Sequence, residues 1–236
     1  ACPEGSTPTS RTWAGTSGTW SRQWAQGCWR WGSWCSPTTW SVAGAVGRSP
    51  LETRGTAERW SGRAYDPTVM VSQEEITALC EAARWAPSCF GDEPWRYLVC
   101  DKNTDRTAWE KLLSALAPGN QEWAKNAPVL ILAASVPLFS QNDKPNRWSG
   151  YDTGAASISL CLQATSMGLM SHQMGGFDDK KIREAFAISD DIHMWSVIAI
   201  GHQAALDNLT EEQLERELSP RQRRPLEQAF FINKWS

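Results

Sequence analysis

Two short basic segments near opposite ends of the chain carry side chains suited to binding a phosphate group. Each places guanidinium groups close together, and the first adds a hydroxyl. The residues are Arg59, Ser61 and Arg63 in the first segment, and Arg221, Arg223 and Arg224 in the second. Guanidinium groups recognise phosphate through paired hydrogen bonds, so the two segments together could surround one. Either segment alone is more typical of a solvated surface cluster.

Two further segments have the composition of walls around a flat ligand. One is the loop PSCFGDEPW at residues 87–95, and the other is the pair Gly175 and Gly176. The loop residues of interest are Pro87, Ser88, Cys89, Gly91 and Glu93. A glycine pair bares main-chain N–H groups that can donate hydrogen bonds to a ligand. The simpler interpretation is a helix-to-strand connection at the loop and a plain turn at the glycines.

The chain lacks the common motifs of catalytic and metal sites. It has no G-x-G-x-x-G after a predicted strand, no P-loop, no G-x-S-x-G and no Cys/His metal spacing. Its three histidines, His172, His193 and His202, are scattered and more typical of structural positions. We therefore predict no catalytic side chain and no metal site.

Hydrophobic periodicity predicts a chain of interspersed helices and strands. Ser72 with Glu75, and Thr210 with Gln213, form capping boxes that open amphipathic helices over residues 73–85 and up to Leu218. Further helices are predicted at residues 51–58, 109–116, around 123 and at 179–186, and strands at 96–100, 129–134, 171–174 and 196–201. Residues 118–120 are expected to stop a helix, and residues 137–146 are expected to form a polar loop. The apolar tail at 230–235 is expected to lie on the domain or on a partner subunit.

The helix predicted over residues 154–169 is apolar around most of its circumference. Only Ser159, Gln163 and Ser166 form a narrow polar stripe, which is typical of a buried helix. Small residues near its start allow another helix, a partner subunit or a flat ligand to approach closely. Gly168 is the predicted stop, and Asp178 is predicted to cap the following helix.

Composition divides the 236 residues into two parts. Residues 1–50 hold seven Trp but no Leu, Ile, Phe or Met, which predicts a low-complexity arm that is disordered or not native to the protein. A ligand-binding aromatic arm is the alternative. Residues 51–236 have the composition of one globular domain, and because the arm is basic they carry a net charge of −6 within the overall −3.

Charge and hydropathy bear on partners and compartment. An acidic domain favours neither nucleic acid nor an anionic membrane as partner. No apolar run reaches the roughly 20 residues of a membrane span. The seven cysteines are odd in number and form no C-x-x-C pair, so we expect a reducing, cytoplasmic location.

Six separated blocks of sequence resemble the nitroreductase family. They include RWSGRAYDP at 59–67, ARWAPSCFGDEPWRYLV at 83–99, WAKNAPVLILAAS at 123–135, NRWSGYDTGAASISLCLQATSMGLMSHQMGGFD at 146–178, VIAIG at 197–201 and RQRRPLEQAFF at 221–231. The resemblance covers residues 51–236. It implies an α+β fold in which a central, mostly antiparallel sheet is flanked by helices, and an intertwined homodimer that holds FMN at its interface.

The resemblance also assigns roles to the segments above. It implies that the FMN phosphate is held by Arg59, Ser61, Arg63, Arg221 and Arg223, with Trp60 between them in the cofactor-binding segment. Pro87, Ser88, Cys89, Gly91 and Glu93 are then expected along the isoalloxazine ring, and Gly175 and Gly176 near its N5. The implied reaction takes hydride from NADH or NADPH and then passes it, in a second step, to a small-molecule acceptor such as a nitroaromatic or a quinone. No side-chain acid or base is expected.

The loop departs from the family pattern P-S-x-x-N-x-Q-P-W at two positions. Gly91 stands in place of the Asn and Glu93 in place of the Gln. A carboxylate beside the flavin would oppose the negative charge of the reduced ring, which predicts a lower reduction potential.

Other functions on the same fold remain open from the sequence. Reductive dehalogenation and ene reduction would use additional lid residues, for which residues 137–146 are the place to look. A flavin-binding dimer with little turnover is the alternative outside enzymes.

Overall fold

A four-stranded antiparallel sheet forms the centre of residues 59–235, the part of the chain that the computed structural model describes. Its order is β1 (Trp95–Asp101), β2 (Val129–Ser135), β4 (His193–Gly201) and β3 (Met170–Met174). The helices are α1 (Gln73–Arg84), α2 (Arg106–Ser114), α3 (Pro118–Ala124), α4 (Ser149–Ser166), α5 (Asp179–Phe186) and α6 (Glu211–Leu218). The predicted α+β class with an antiparallel sheet is confirmed.

The two central strands are buried on both faces. Every residue of β2 is buried, and so is the second half of β4, because helices cover the sheet on either side. One face packs against α1 and α4 through Ile131, Ile198 and Leu160, among others. The other face packs against α2, α3 and α5 through Leu130, Val197 and Ile182. The continuous apolar runs of the sequence are therefore the two-sided core strands.

The helix signals of the sequence are confirmed by the backbone. Ser72 and Glu75 exchange the two hydrogen bonds of a capping box, as do Thr210 and Gln213. Asp178 caps α5 by accepting a hydrogen bond from the Lys181 N–H. Gly168 has a φ of +76°, the left-handed conformation that ends α4.

Several predicted boundaries differ from the structure, and three of the differences have a visible local cause. Helix α4 begins at Ser149, five residues earlier than predicted, because the Asn146 side chain accepts a hydrogen bond from the Trp148 N–H and turns the chain into the helix. Pro118 opens α3 instead of ending the helix before it, as proline does readily at a first helical position. Strand β4 begins three residues early, with a bulge opposite Ala133 and Ala134.

The C-terminal segment after α6 is exposed throughout residues 219–235. Within residues 59–235, no helix combines the length and apolar character that a membrane crossing requires. The predictions for the arm at residues 1–50, for the domain boundary beside it and for a helix at 51–58 lie outside the described residues.

Candidate functional site

The two basic segments lie together in the fold. The Arg59 guanidinium donates a hydrogen bond to the Ser61 hydroxyl at 2.8 Å. The Arg221 guanidinium donates one to the main-chain oxygen of Arg59 at 2.9 Å and lies 5.5 Å from the centre of the Trp60 ring. Arg63 lies over the Trp123 ring at 5.7 Å. Residues far apart in sequence thus form one basic cluster.

The segment at residues 59–63 has no regular secondary structure, so contacts with the core set its position. Glu217 of α6 accepts hydrogen bonds from the Trp60 indole and from the main-chain N–H groups of Arg63 and Ala64. A Cβ atom on Gly62 would lie only 2.2 Å from the Met170 sulfur at the start of β3. Glycine lets the segment approach the sheet this closely without displacing the Met170 side chain.

The guanidinium groups of Arg59, Arg63 and Arg223 are available to bind an anion. Arg59, Arg63 and Arg223 make no ion pair within 4.0 Å to any residue of the range 59–235. Arg223 is exposed and donates a hydrogen bond to the neighbouring Gln222 carbonyl, whereas Arg221 contacts the first segment. The cluster is suited to an anion with several negative oxygens, such as a phosphate monoester.

His172 of β3 contacts the segment at residues 59–63. Its Nδ1 lies 3.0 Å from the Gly62 carbonyl oxygen, and because a carbonyl can only accept, Nδ1 carries the hydrogen. Burial lowers the pKa of His172 from its ordinary value, partly opposed by this hydrogen bond. The ring lies 4.6 Å from the Trp123 ring. His172 is therefore a neutral structural donor, as the sequence suggested.

Gly175 and Gly176 follow the last residue of β3. The Gly176 carbonyl accepts hydrogen bonds from the Ala117 N–H and the Asn120 amide, which fix the turn. Gly175 is exposed, and a Cβ atom there would meet nothing within 4 Å. Strand β3 thus runs from the basic cluster to an open glycine turn about four residue steps away, roughly 13 Å.

The loop at residues 87–95 is held by side chains at both ends. The buried Asp152 of α4 accepts a hydrogen bond from the Cys89 N–H at 3.0 Å. The Ser88 hydroxyl accepts one from the Glu93 N–H, also at 3.0 Å. Pro87, Gly91 and Glu93 remain exposed. The loop therefore has a fixed backbone with solvent-facing edges.

Asp92 joins this loop to the loop predicted at residues 137–146. Its carboxylate accepts hydrogen bonds from the Ser140 N–H and hydroxyl and from the Asn146 amide. Burial acts to raise the pKa of Asp92, but these hydrogen bonds outweigh it, so the pKa is lowered from its ordinary value. The Phe90 and Phe139 rings meet edge to face with centres 5.8 Å apart. The two loops form one surface.

Phe90, Gly91 and Glu93 all have positive φ angles, from 49° to 66°. Such angles are unfavourable for the two side-chain-bearing residues, so the surrounding hydrogen bonds must hold this conformation. The Gly91 that departs from the family pattern occupies a position where glycine adopts the left-handed backbone without steric cost.

The loop and the basic cluster lie at opposite ends and opposite edges of the sheet. Trp95 at the start of β1 pairs with Ser135, whereas Met170 at the start of β3 pairs with Gly201 at the other end of the strands. Three strand spacings separate the edges by about 14 Å, and the six steps of β1 add about 20 Å along the strands. One small ligand cannot touch both features of the same chain.

Two anchoring residues were not predicted from the sequence. Glu217 falls three residues after Leu214 and directly before Leu218, on the inward face of α6, and an acidic residue in an apolar stripe is a usable signal. Asp152 lies in the first turn of α4, where its contact with a loop 63 residues earlier leaves no local trace.

Known proteins are similar to this chain in sequence and in fold. The sequence model of the nitroreductase family matches residues 56–202, more than half of the chain. An uncharacterised 15.4 kDa protein of Mycolicibacterium smegmatis is 32% identical over 52% of this chain and 82% of its own length. The oxygen-insensitive NADPH nitroreductase of Helicobacter pylori is 26% identical over 54% of this chain and 75% of its own.

Among solved structures, an oxidoreductase described as containing FMN superposes with a TM-score of 0.70 at 32% identity. The match covers 82% of this chain and 96% of the other. The family match, the antiparallel sheet and the order of the sequence blocks agree. This chain belongs to the nitroreductase family.

Proposed function

We propose that this protein is an FMN-dependent oxidoreductase that takes hydride from NADH or NADPH and passes it to a nitroaromatic, a quinone or a similar acceptor in a second step. The observation that carries the proposal is the basic cluster, in which Arg59, Ser61, Arg63 and Arg221 converge beside the start of β3. Family membership and the FMN named for a solved relative support it.

The residues present fit FMN at both ends. Two guanidinium groups of the cluster, those of Arg59 and Arg63, form no ion pair with a carboxylate of residues 59–235, and they suit a phosphate monoester. The open turn at Gly175 and Gly176 lies one short strand away and offers room for a flat ring. Bound FMN would supply the two-electron chemistry, and the protein supplies position and electrostatics.

We propose that the site is completed by a second copy of the chain. The loop at residues 87–95 is too far from the basic cluster of its own chain to contact the same flavin. A flavin held by the cluster of one protomer would therefore contact the loop of the partner. A homodimer would bring the cluster of one protomer to the loop of the other. Pro87, Ser88, Cys89, Gly91 and Glu93 then form a wall that the first protomer lacks.

The outward face of α4 supports this assembly. Tyr151, Ile158 and Leu162 are 78%, 40% and 53% exposed and recur at helical spacing along one side of α4. The tail adds Phe230, Ile232 and Trp235, each at least 67% exposed. Apolar surface of this extent is typical of a face that packs against another protein surface.

The chain's residues position the reactants. The basic cluster fixes the phosphate end, and the glycine turn leaves one side of the ring position uncovered, so that nicotinamide and acceptor can occupy it in turn. The fixed backbone at residues 88–93 holds the opposite wall. Stacking at contact distance is the main catalytic contribution, and solvent can protonate the product.

The visible spectrum of the purified protein, recorded before and after anaerobic addition of NADPH and then NADH, tests the proposal. We expect a flavin spectrum that bleaches and recovers when a quinone or nitroaromatic is added. A flavin that no nicotinamide reduces would instead favour a binding role. A protein that takes up no FMN would overturn the proposal.

A further inference from the structure

Glu217 lies at the last turn of α6 and is only 2% exposed, which is unusual for an acidic side chain. One carboxylate oxygen accepts a hydrogen bond from the Trp60 indole N–H at 2.9 Å. The other accepts from the main-chain N–H groups of Arg63 at 2.6 Å and Ala64 at 3.2 Å. Both oxygens are thus directed at the segment that carries the basic side chains.

Burying a carboxylate is unfavourable unless hydrogen bonds replace its water. The hydrogen bonds that Glu217 accepts here come from the segment at residues 60–64. The contact is close, since a Cβ atom on Gly62 would lie 2.6 Å from the nearer Glu217 oxygen. The close approach of this loop and the buried acid therefore depend on each other. A carboxylate that served only to stabilise α6 would not need three donors from a distant loop.

Glu217 also lies four residues before Arg221 in the chain. Arg221 returns to the same loop, with a hydrogen bond to the Arg59 carbonyl and its guanidinium over the Trp60 ring. The Trp60 side chain is consequently held at its N–H by Glu217 and across its face by Arg221. The acid fixes one end of the segment from which Arg221 extends.

We infer that Glu217 is a positioning residue that holds the N-terminal phosphate-binding segment and the C-terminal arginine in register through Trp60 and the Arg63 main chain. This inference rests on the proposed function, because it assigns the cluster to a phosphate. Glu217 itself would touch no ligand. Its effect should be confined to the phosphate end of the flavin.

The test compares the affinities of the full-length protein, freed of flavin, for FMN and for riboflavin, which lacks the phosphate. In Glu217→Gln, the amide oxygen can still accept from the main chain, but the amide N–H₂ then opposes the Trp60 N–H. We expect FMN to bind about tenfold more weakly, the loss of roughly one hydrogen bond, with riboflavin affinity unchanged. Glu215→Gln, at an exposed position on the same helix, is the matched control and should leave both affinities unchanged.

Trp60→Phe provides an independent arm, because it removes the N–H without changing the acid. Trp60→Phe should lower the affinity for FMN but not for riboflavin. The double variant with Glu217→Gln should lose FMN affinity by a smaller factor than the product of the two single-variant factors. Equal losses for FMN and riboflavin, or strictly additive effects, would overturn the positioning role. If Glu217→Gln does not fold by circular dichroism, the selectivity of Trp60→Phe decides alone.

The wild-type protein separates this inference from the proposed function. If it binds neither FMN nor riboflavin, the proposed function fails and the inference fails with it. If it binds FMN in preference to riboflavin and Glu217→Gln leaves that preference unchanged, the inference alone is wrong.

Discussion

The Arg221 guanidinium donates a hydrogen bond of 2.9 Å to the main-chain oxygen of Arg59, 162 residues earlier in the chain. This bond joins the two segments that each looked like an ordinary surface cluster in the sequence. Because the same guanidinium covers the Trp60 ring, the contact combines charge, planarity and stacking. A lysine could supply only the first of these.

Arg221→Gln should weaken FMN binding by roughly ten- to a hundredfold, since a hydrogen bond to a charged group contributes about 1.5–3 kcal/mol. Riboflavin affinity should be unchanged, because the proposed role of Arg221 is confined to the phosphate end of the flavin. Titration of the flavin-free protein with both flavins measures the effect. Arg224→Gln in the same basic run is the control, and an equal loss in that variant would reduce the effect to general surface charge.

Gly62→Ala should destabilise the fold by about 1–3 kcal/mol, because the new methyl group has no room beside Met170 and Glu217. Gly119→Ala is a matched control in α3, where a Cβ atom would meet nothing within 4 Å. It should be neutral or stabilise by up to about 1 kcal/mol through helix propensity. Urea unfolding of both variants measures the difference, and similar values would show that the close approach at Gly62 can relax.

The sequence predicted the elements of this fold better than their arrangement. Capping boxes and apolar runs are local signals, so α1, β2 and α6 could be identified within a residue or two. The start of α4 was missed because the Asn146 side chain, not an apolar pattern, turns the chain there. Residue types alone singled out the basic segments, but the proposal that they bind the FMN phosphate came from a resemblance. The separation of the loop at 87–95 from Arg59 follows only from strand order and register.

The half-buried His172 should make stability depend on pH in the acidic range. Burial lowers its pKa below the ordinary value of 6.5, so between these two pKa values the unfolded chain binds more protons than the folded one. Stability is therefore fully present above about pH 6.5 and decreases as the pH falls towards the folded-state pKa. Urea unfolding at several pH values should show this decrease.

His172→Asn tests the assignment, because asparagine can keep a donor towards the Gly62 carbonyl but does not titrate. The variant should lose less stability than the wild type between about pH 7 and pH 5. His193→Asn, at an exposed position on β4, should follow the wild type. Parallel pH profiles for wild type and His172→Asn would contradict the prediction.

Leu162→Glu should disrupt the proposed homodimer, since it puts a carboxylate on the apolar outward face of α4. Leu162 is 53% exposed in the single chain, so the folded protomer should tolerate the change, whereas a buried unpaired charge at an interface costs several kcal/mol. Light scattering after size exclusion should show a monomer that retains little FMN. Thr107→Glu, exposed in the first turn of α2 on the other side of the sheet, should remain dimeric. A monomeric wild type would contradict the proposed assembly.

Glu93→Gln should raise the two-electron potential of bound FMN by about 20–30 mV, roughly 1 kcal/mol, because it removes a negative charge that opposes the reduced ring. The substitution should leave the loop in place, since Glu93 is held through its main chain, by its N–H to Ser88 and its carbonyl to Arg96. Glutamate and glutamine also have similar backbone preferences at the φ of 49° observed for position 93. Redox titration with a dye of known potential measures the shift. Glu74→Gln, exposed on α1, controls for net charge, and a potential that responds equally to both substitutions would show that Glu93 does not face the flavin.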